Sequence, residues 1–368
     1  MKMMRWFFIV ALVAAANVHS ADVSGADIAA AAAKAVDFLS KQQKDDGTFG
    51  ASKESAMPGV VGMVVEALAN SPAKLREANS PVVAKAVKYI LSKQQPNGSI
   101  TIPEFGLENY NTAVSVIGLA ALENAAHKPV LEKARAFMLS CQVSGEVDEP
   151  NVGGFGYGPG KKADMSNTGF SLEALKAAGL EENSPTWKNA VKFISRCQDS
   201  ETNDLPAMKA GNNSGGFVYV PGSSPFGTEN ARNGKAYVPR PYGSMTYEAV
   251  KSLVYAGIKK DEPTLAAAFK WIHANYAVKE HPGAVGNEGY YYYVLAFSKA
   301  FTAAGIKEVD LPDGKKANWA KDLAAHLITL QKPDGSFANA DARWMEGNPI
   351  LATSFALQAL SQCANALK

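Results

Sequence analysis

The chain has 368 residues, 47% hydrophobic and 20% charged, with 37 basic against 35 acidic side chains and a formal net charge of +2. That is enough apolar material for one large folded domain or two small ones. The near balance of charge, with basic residues scattered, argues against the electrostatic footprint of a nucleic-acid binder or of a protein drawn to an anionic membrane.

In chain order, residues 1–20, MKMMRWFFIVALVAAANVHS, come first: a short basic start (Lys2, Arg5), an apolar run from Trp6 to about Ala16, and small residues before a plausible cut after Ser20. A run of about a dozen apolar residues is too short to span a bilayer, so the segment reads as a secretory signal peptide, with an uncleaved anchor as the alternative. The mature chain, 21–368, is therefore expected to be exported, periplasmic or extracellular, with no transmembrane segment after signal cleavage.

From there one phrase recurs: AVDFLSKQQKDDGTFG, AVKYILSKQQPNGSI, ARAFMLSCQ, AVKFISRCQ and AAHLITLQKPDGSF. Each predicts an amphipathic helix ending in Gln, and the full copies add a Gly-containing turn and an apolar residue. After each comes a more apolar segment: PGVVGMVVEALAN, NTAVSVIGLAALENA, NTGFSLEALKAAG, MTYEAVKSLVYAG, YYYYVLAFSKAFTAAG and ILATSFALQALSQC. Apolar residues on more than one face of these segments suit inner helices buried on several sides, while the lysine-bearing first helices suit an outer layer. With the divergent segment EPTLAAAFKWIHANY, the count is six outer and six inner helices at a period of roughly fifty residues. Neither helix of a pair covers its apolar faces alone, so the pairs stack and six can close. The predicted fold is all-α, an (α/α)6 toroid, as a single domain over 21–368.

The loops after the third and fourth outer helices, VSGEVDEPNVGGFGYGPGKKAD and NSGGFVYVPGSSPFGTENARNGKAYVPRPYG, are long and Gly-rich. If the inner helices begin at one mouth of the barrel, these loops roof it. Cys141 and Cys197 occupy the same place in two repeats and Cys363 stands alone, which is no disulfide framework but a set of structural thiols.

The Gln, Gly, aromatic phrase (Gln43, Gly47, Phe49; Gln331, Gly335, Phe337) is similar to the QW motif of squalene-hopene cyclases, and the repeats resemble theirs and those of protein prenyltransferase β subunits. Through MSNTGFSLEALKAAGL, YGSMTYEAVKSLVYAGI, EGYYYYVLAFSKAF and RWMEG the chain also resembles single-domain prenyltransferase/squalene-oxidase-repeat proteins exported by bacteria. The resemblance implies the toroid but not the chemistry. The cyclases protonate an alkene with an Asp-x-Asp-Asp-Thr segment, whose middle acid must be neutral and strongly polarised. Here Asp164, Ser166, Asn167 and Thr168 stand at its four named positions, so the proton donor is replaced by Ser. The prenyltransferases hold zinc with Asp, Cys and His. Here NEGYYYYVL has Glu288 but no Cys, and His127, His273, His281 and His326 lack ligand spacing, so no metal or cofactor is expected. The Gly-Cys-Gly-Glu-Gln segment of related thioester domains does not occur.

The starts of the inner helices cluster polar and aromatic residues. Asp164 and Glu248 are the candidate catalytic acids. Asn167, Thr168, Tyr247, Glu288, Tyr291, Arg343, Trp344 and Glu346 are the candidate ligand-binding residues. Each has an ordinary alternative as a helix cap, core residue or ion pair. Together they suit a mouth that stacks on rings and hydrogen-bonds hydroxyls. The leading expectation is a binding module for a glycan, lipid-like or peptide ligand. The alternatives are an enzyme on the same scaffold and an interaction protein with a sealed centre. The enzyme would be a terpenoid cyclase or isomerase with Asp164 as acid, a prenyltransferase-type enzyme, or a polysaccharide lyase or hydrolase using Tyr247 with Glu248, or Arg343. A dry aromatic cavity favours a terpenoid; an open charged groove favours a glycan.

Overall fold

The computed structural model describes residues 23–146, 149–232, 234 and 236–368, so the expected signal peptide lies outside the described residues. The elements in order are α1 (Gly25–Lys41), α2 (Pro58–Asn70), α3 (Pro81–Leu91), α4 (Glu108–Ala120), α5 (Lys128–Ser140), α6 (Met165–Ala177), α7 (Pro185–Arg196) and a short α8 (Pro206–Lys209). Then come a two-stranded hairpin of β1 (Thr228–Asn230) and β2 (Tyr237–Pro239), α9 (Gly243–Tyr255), α10 (Pro263–Ala274) and α11 (Tyr290–Ala303). A second small antiparallel pair, β3 (Val309–Asp310) and β4 (Lys316–Ala317), precedes α12 (Trp319–Leu330) and α13 (Pro349–Ala366).

Helices α2, α4, α6, α9, α11 and α13 form the inner ring: each packs on the next, and α13 packs back on α2. Their apolar surface goes all round because nothing but protein surrounds them; every residue of α2 except Asn70 is buried. The outer helices are one-faced. In α7, Trp187, Ala190, Phe193 and Ile194 are buried at helical spacing while Lys188 and Asn189 are exposed. The expected toroid of six inner and six outer helices is the observed architecture, and among the described residues no helix is long and apolar enough to cross a membrane.

The repeated phrase has a mechanical explanation. The Gln that ends an outer helix spans to the next outer helix through its side-chain amide: Gln43 to Val82 O (2.7 Å), Gln94 to Val130 O (3.1 Å), Gln142 to Thr186 O (3.0 Å) and Gln198 to Thr264 O (2.9 Å). Gln331 completes the circuit by donating to Ala31 O on α1 (2.9 Å). The divergent pair lacks the Gln; there Tyr276 OH donates to Asp322 on α12 at 3.0 Å instead. The Gly of the phrase is needed because the turn abuts the neighbouring helix. Gly47 has φ +90°, and a Cβ there would lie 2.4 Å from Lys85 O. A Thr on the inner helix then accepts the N–H of the apolar residue that ends the phrase: Thr112 from Ile100, Thr168 from Phe155, Thr246 from Phe217 and Thr353 from Phe337, at 2.9 to 3.1 Å.

Candidate functional site

That Thr fixes the register of the inner helices, and two residues before it stand Tyr110, Ser166, Ser244 and Leu351, all of which line one cavity of about 270 Å³. Met57 and Val60 at the start of α2 and Tyr292 in the first turn of α11 complete the contribution of the six inner helices. The cavity therefore occupies the mouth at which all the inner helices begin. Its wall carries an aromatic band: Tyr110 meets Phe170 edge-on at 5.6 Å, Phe170 lies 5.9 Å from Tyr292, and Tyr292 lies 6.0 Å from Phe355. Tyr157, Tyr219 and Phe226 reach in from the two long Gly-rich loops, as expected of a roof. Among the described residues lining it there is no Asp, Glu, Lys or Arg.

A hook closes one side. Trp344 and Met345 are consecutive non-glycine residues in the left-handed region (φ 60° and 64°), a conformation that costs on the order of 1–3 kcal/mol each. Glu346 anchors the hook from below. It is fully buried, and its Oε1 accepts the Tyr292 backbone N–H at 2.7 Å while its Oε2 accepts from Asn339 at 2.8 Å. Burial pushes its carboxyl up to about 7 despite those donors. Arg343 anchors it from above, paired with Glu288 and stacked on the rings of Trp344 (4.7 Å) and Phe226 (5.9 Å).

Two of the polar features that line the cavity bear on its chemistry. Ser166 Oγ and Tyr292 OH are 3.1 Å apart and share one hydrogen bond. His281 accepts the Ser244 backbone N–H on Nε2 (3.0 Å) and lies 2.8 Å from Glu288 O through Nδ1, so the ring is a neutral cap on α9; burial lowers its pKa to about 4. Asp164, behind the wall, is the N-cap of α6. Its Oδ1 accepts the Asn167 backbone N–H (2.8 Å) and its Oδ2 the Asn167 amide (2.7 Å). Burial lifts its pKa to about 6, with the Asn167 hydrogen bonds and that from the Tyr219 phenol working the other way.

One turn or more deeper, the barrel axis carries a charge network. Lys251 Nζ lies 2.7 Å from both Glu173 and Glu248, and Lys299 Nζ lies 2.6 Å from Glu66 and 2.7 Å from Glu173. All five are buried. Against burial, Lys251 and Lys299 hold the bridging Glu173 down at about 2. Burial outweighs the single ammonium beside Glu66 and Glu248 and raises both. Lys251 also sits 5.6 Å from the centre of the Phe170 ring, so the network lies against the cavity floor.

Of the sequence-predicted residues, Trp344 lines the cavity, and Arg343 and Glu288 form an ion pair at its rim. Asp164 and Asn167 cap α6, Thr168 holds the Phe155 N–H, and Glu346 holds the start of α11. Tyr247 is packed against Tyr293, Phe297 and Phe301, Tyr291 against Tyr290 and Phe337, and Glu248 belongs to the charge network. The structure thus places around the mouth what the sequence grouped there, but most of it behind the cavity wall. Tyr110, Phe170, Tyr219 and Phe355 were not among the candidates, although counting from the repeated Thr would have found Tyr110, Phe170 and Phe355. Among the described residues no group of three or more His, Cys, Asp or Glu is placed to hold a metal ion.

The squalene-hopene cyclase C-terminal domain matches residues 54–219, and the prenyltransferase α/α toroid domain matches residues 170–288. Comparison with curated protein sequences gives no significant match. Among solved structures, the type II terpene cyclase MstE from Scytonema is similar at TM-score 0.58 and 13% identity, covering 94% of this chain and 100% of that one. MstE has also been solved in complex with geranylgeranyl dihydroxybenzoate, its substrate. A family 76 glycoside hydrolase from a bovine Bacteroides thetaiotaomicron strain is similar at TM-score 0.56 and 10% identity, covering 93% and 78% of the two chains. A possible GH105-family member from Salmonella enterica gives 0.55 and 10%, covering 94% and 95%. At these identities the likeness is one of fold.

Proposed function

The chain is an α/α toroid protein of the terpenoid cyclase and prenyltransferase type, and we propose that it binds an uncharged, isoprenoid-like ligand in the aromatic cavity and holds it unchanged. The observation that carries this reading is the composition of the cavity wall: aromatic rings, methionines and leucines, among the described residues no Asp, Glu, Lys or Arg, side-chain nitrogen and oxygen confined to phenol, hydroxyl, imidazole and indole groups, and the Ser166–Tyr292 pair as a place for one hydroxyl or carbonyl. Apolar rings stabilise a hydrocarbon chain by burial and stacking. A diphosphate or carboxylate head would instead meet Arg343, already engaged by Glu288. With residues 1–20 read as a signal peptide, the protein works outside the cytoplasm.

Retention without turnover follows from what stands where chemistry would begin. Ser166 is far too weak an acid to protonate an alkene. Glu248 is held by Lys251 below the floor, and both nitrogens of His281 are engaged. Lys251 beneath Phe170 already occupies that ring's attraction for a cation, which makes the floor a poor support for a carbocation above it. One observation favours a second reading, a cyclase or isomerase with Asp164 as acid: burial holds that carboxyl up at about 6.

The test incubates the purified mature protein with geranylgeraniol, squalene, geranylgeranyl diphosphate and a mixture of neutral and acidic oligosaccharides, followed by native mass spectrometry. Geranylgeraniol or squalene retained at its original mass is the expected result. A new product lost in Asp164→Asn would replace this reading with the second, and retention of oligosaccharides alone would overturn both.

A further inference from the structure

A second cavity, of about 440 Å³, opens on the outer wall between the β1–β2 hairpin, α10 and the turn at 213–214. It stands back to back with the aromatic cavity. Tyr242 and His281 line the inner one, Pro241 and Gly283 the outer one, and Gly283 is packed so closely on Pro241 that a Cβ would lie 2.4 Å from Pro241 O.

The groove carries more positive than negative charge among its described lining residues, Arg240 and Lys270 against Glu229. Arg240 makes one side-chain hydrogen bond, from Nη2 to Thr228 O at 3.2 Å, and among the described residues no carboxylate pairs with it or with Lys270. Trp271 is 6% exposed, yet among the described residues no acceptor takes its indole N–H. The indole nitrogen is not among the side-chain atoms shut off from solvent without a partner, so its N–H is open to a ligand in the groove. One acid, Glu229, also lines the groove, its Oε1 accepting from Asn212 at 2.8 Å, while Asp199, behind the turn, accepts from Asn213 N, Ser214 N and Ser214 Oγ. Asn275 directs its amide to Trp271 O. Arg240, Lys270 and Trp271 thus line one concave surface with two positive charges and an indole N–H against the single carboxylate of Glu229. The complement of such a surface is an acceptor-rich, negatively charged group.

We propose that this groove is a binding site for an oxyanion, a carboxylate or phosphate group of a small ligand, held by Arg240, Lys270 and the Trp271 indole N–H. It is distinct from the site in the barrel, because none of the three lines the inner cavity.

The test follows the tryptophan indole N–H resonances of the nitrogen-15-labelled full chain while sodium phosphate, sodium glucuronate or glucose is added at constant ionic strength. The expected result is a saturable shift of one indole resonance with phosphate or glucuronate and none with glucose. Arg240→Gln and Lys270→Gln should each weaken that binding by about tenfold, the loss of one charge-assisted contact. A response to glucuronate alone assigns the site to an acidic sugar or other carboxylate, and a response to phosphate alone to a phosphoryl group. Retained indole dispersion shows that the variants fold. Because both replaced side chains are polar and at least partly exposed, a second check uses the wild type alone: raising sodium chloride must weaken the binding. No saturable shift with either anion, binding unaffected by the double substitution, or binding indifferent to salt would overturn the proposal.

Discussion

Replacing Glu173 by Gln should be the most informative single change in the barrel. Glu173 bridges both buried ammonium groups, Lys251 on α9 and Lys299 on α11, at 2.7 Å each, while Glu248 and Glu66 each touch one. Removing a partner from a buried ion pair costs about 3–5 kcal/mol, because the charge left behind is neither solvated nor paired. In Glu173→Gln each Lys keeps one carboxylate, so the loss is expected at the lower end, about 3 kcal/mol. Glu248→Gln should behave differently. Of the two ammonium groups Glu248 touches Lys251 alone, and Lys251 keeps Glu173 when Glu248 is replaced, so only one outer contact is lost, and burial, which raises the pKa of the Glu248 carboxyl, already weakens it. That change is expected to cost less than about 1 kcal/mol. Urea unfolding at neutral pH followed by circular dichroism reads both from the midpoints at unchanged slope. Equal losses, or a larger loss for Glu248→Gln, would refute the assignment of Glu173 as the bridge.

Three further outcomes are expected. Glu346 has its pKa raised from 4.5 to about 7, so the native state keeps a proton that the unfolded chain releases. Stability should therefore fall as pH rises through that window, by on the order of 3 kcal/mol, with Asp164 adding a loss of the same sign between 3.8 and about 6. Unfolding at pH 5 and pH 8 measures it, and Glu346→Gln should flatten the difference. Gly169→Ala should destabilise by about 1–3 kcal/mol, because the added methyl would lie 1.8 Å from Glu248 Oε1 and the network has little room to yield; a thermal melt matching wild type would exclude that packing. Ser166→Asp places a carboxylate among the rings, and geranylgeraniol affinity by native mass spectrometry at pH 8 should drop about tenfold, the cost of burying an unpaired polar group beside the ligand.

The fold was legible because it is repeated: a phrase whose Gln, Gly and Thr each make the same contact in several copies leaves the same imprint several times. The site was only half legible for a related reason. Asp164, Asn167 and Glu346 stand out in the sequence as polar residues at helix starts, and in the structure they cap helix starts. The cavity wall is made by Tyr110, Phe170 and Phe355, which in the sequence look like any core aromatic. What separates a ring facing a cavity from a ring facing a neighbour is its angular position on the helix, and the repeated Thr is the mark from which that angle could be counted. Glu66, Glu173, Lys251 and Lys299 carried no local sign of one another, since they come from four different inner helices.

The hydrogen bond from Gln331 to Ala31 joins residues 300 apart in the chain, and α1 packs chiefly on α13. A chain made from its N-terminus therefore exposes the apolar face of α1 until nearly all of the rest has been synthesised. The entropy of closing so long a loop grows only slowly with length, but the waiting time does not shrink with it. The ring as a whole is thus slow to complete and costly to interrupt: a truncation before α13 leaves both α1 and α2 without their last neighbour. Moving the chain ends so that α13 directly precedes α1 would place those partners side by side from the start, and such a permuted chain should fold faster while keeping the same final structure.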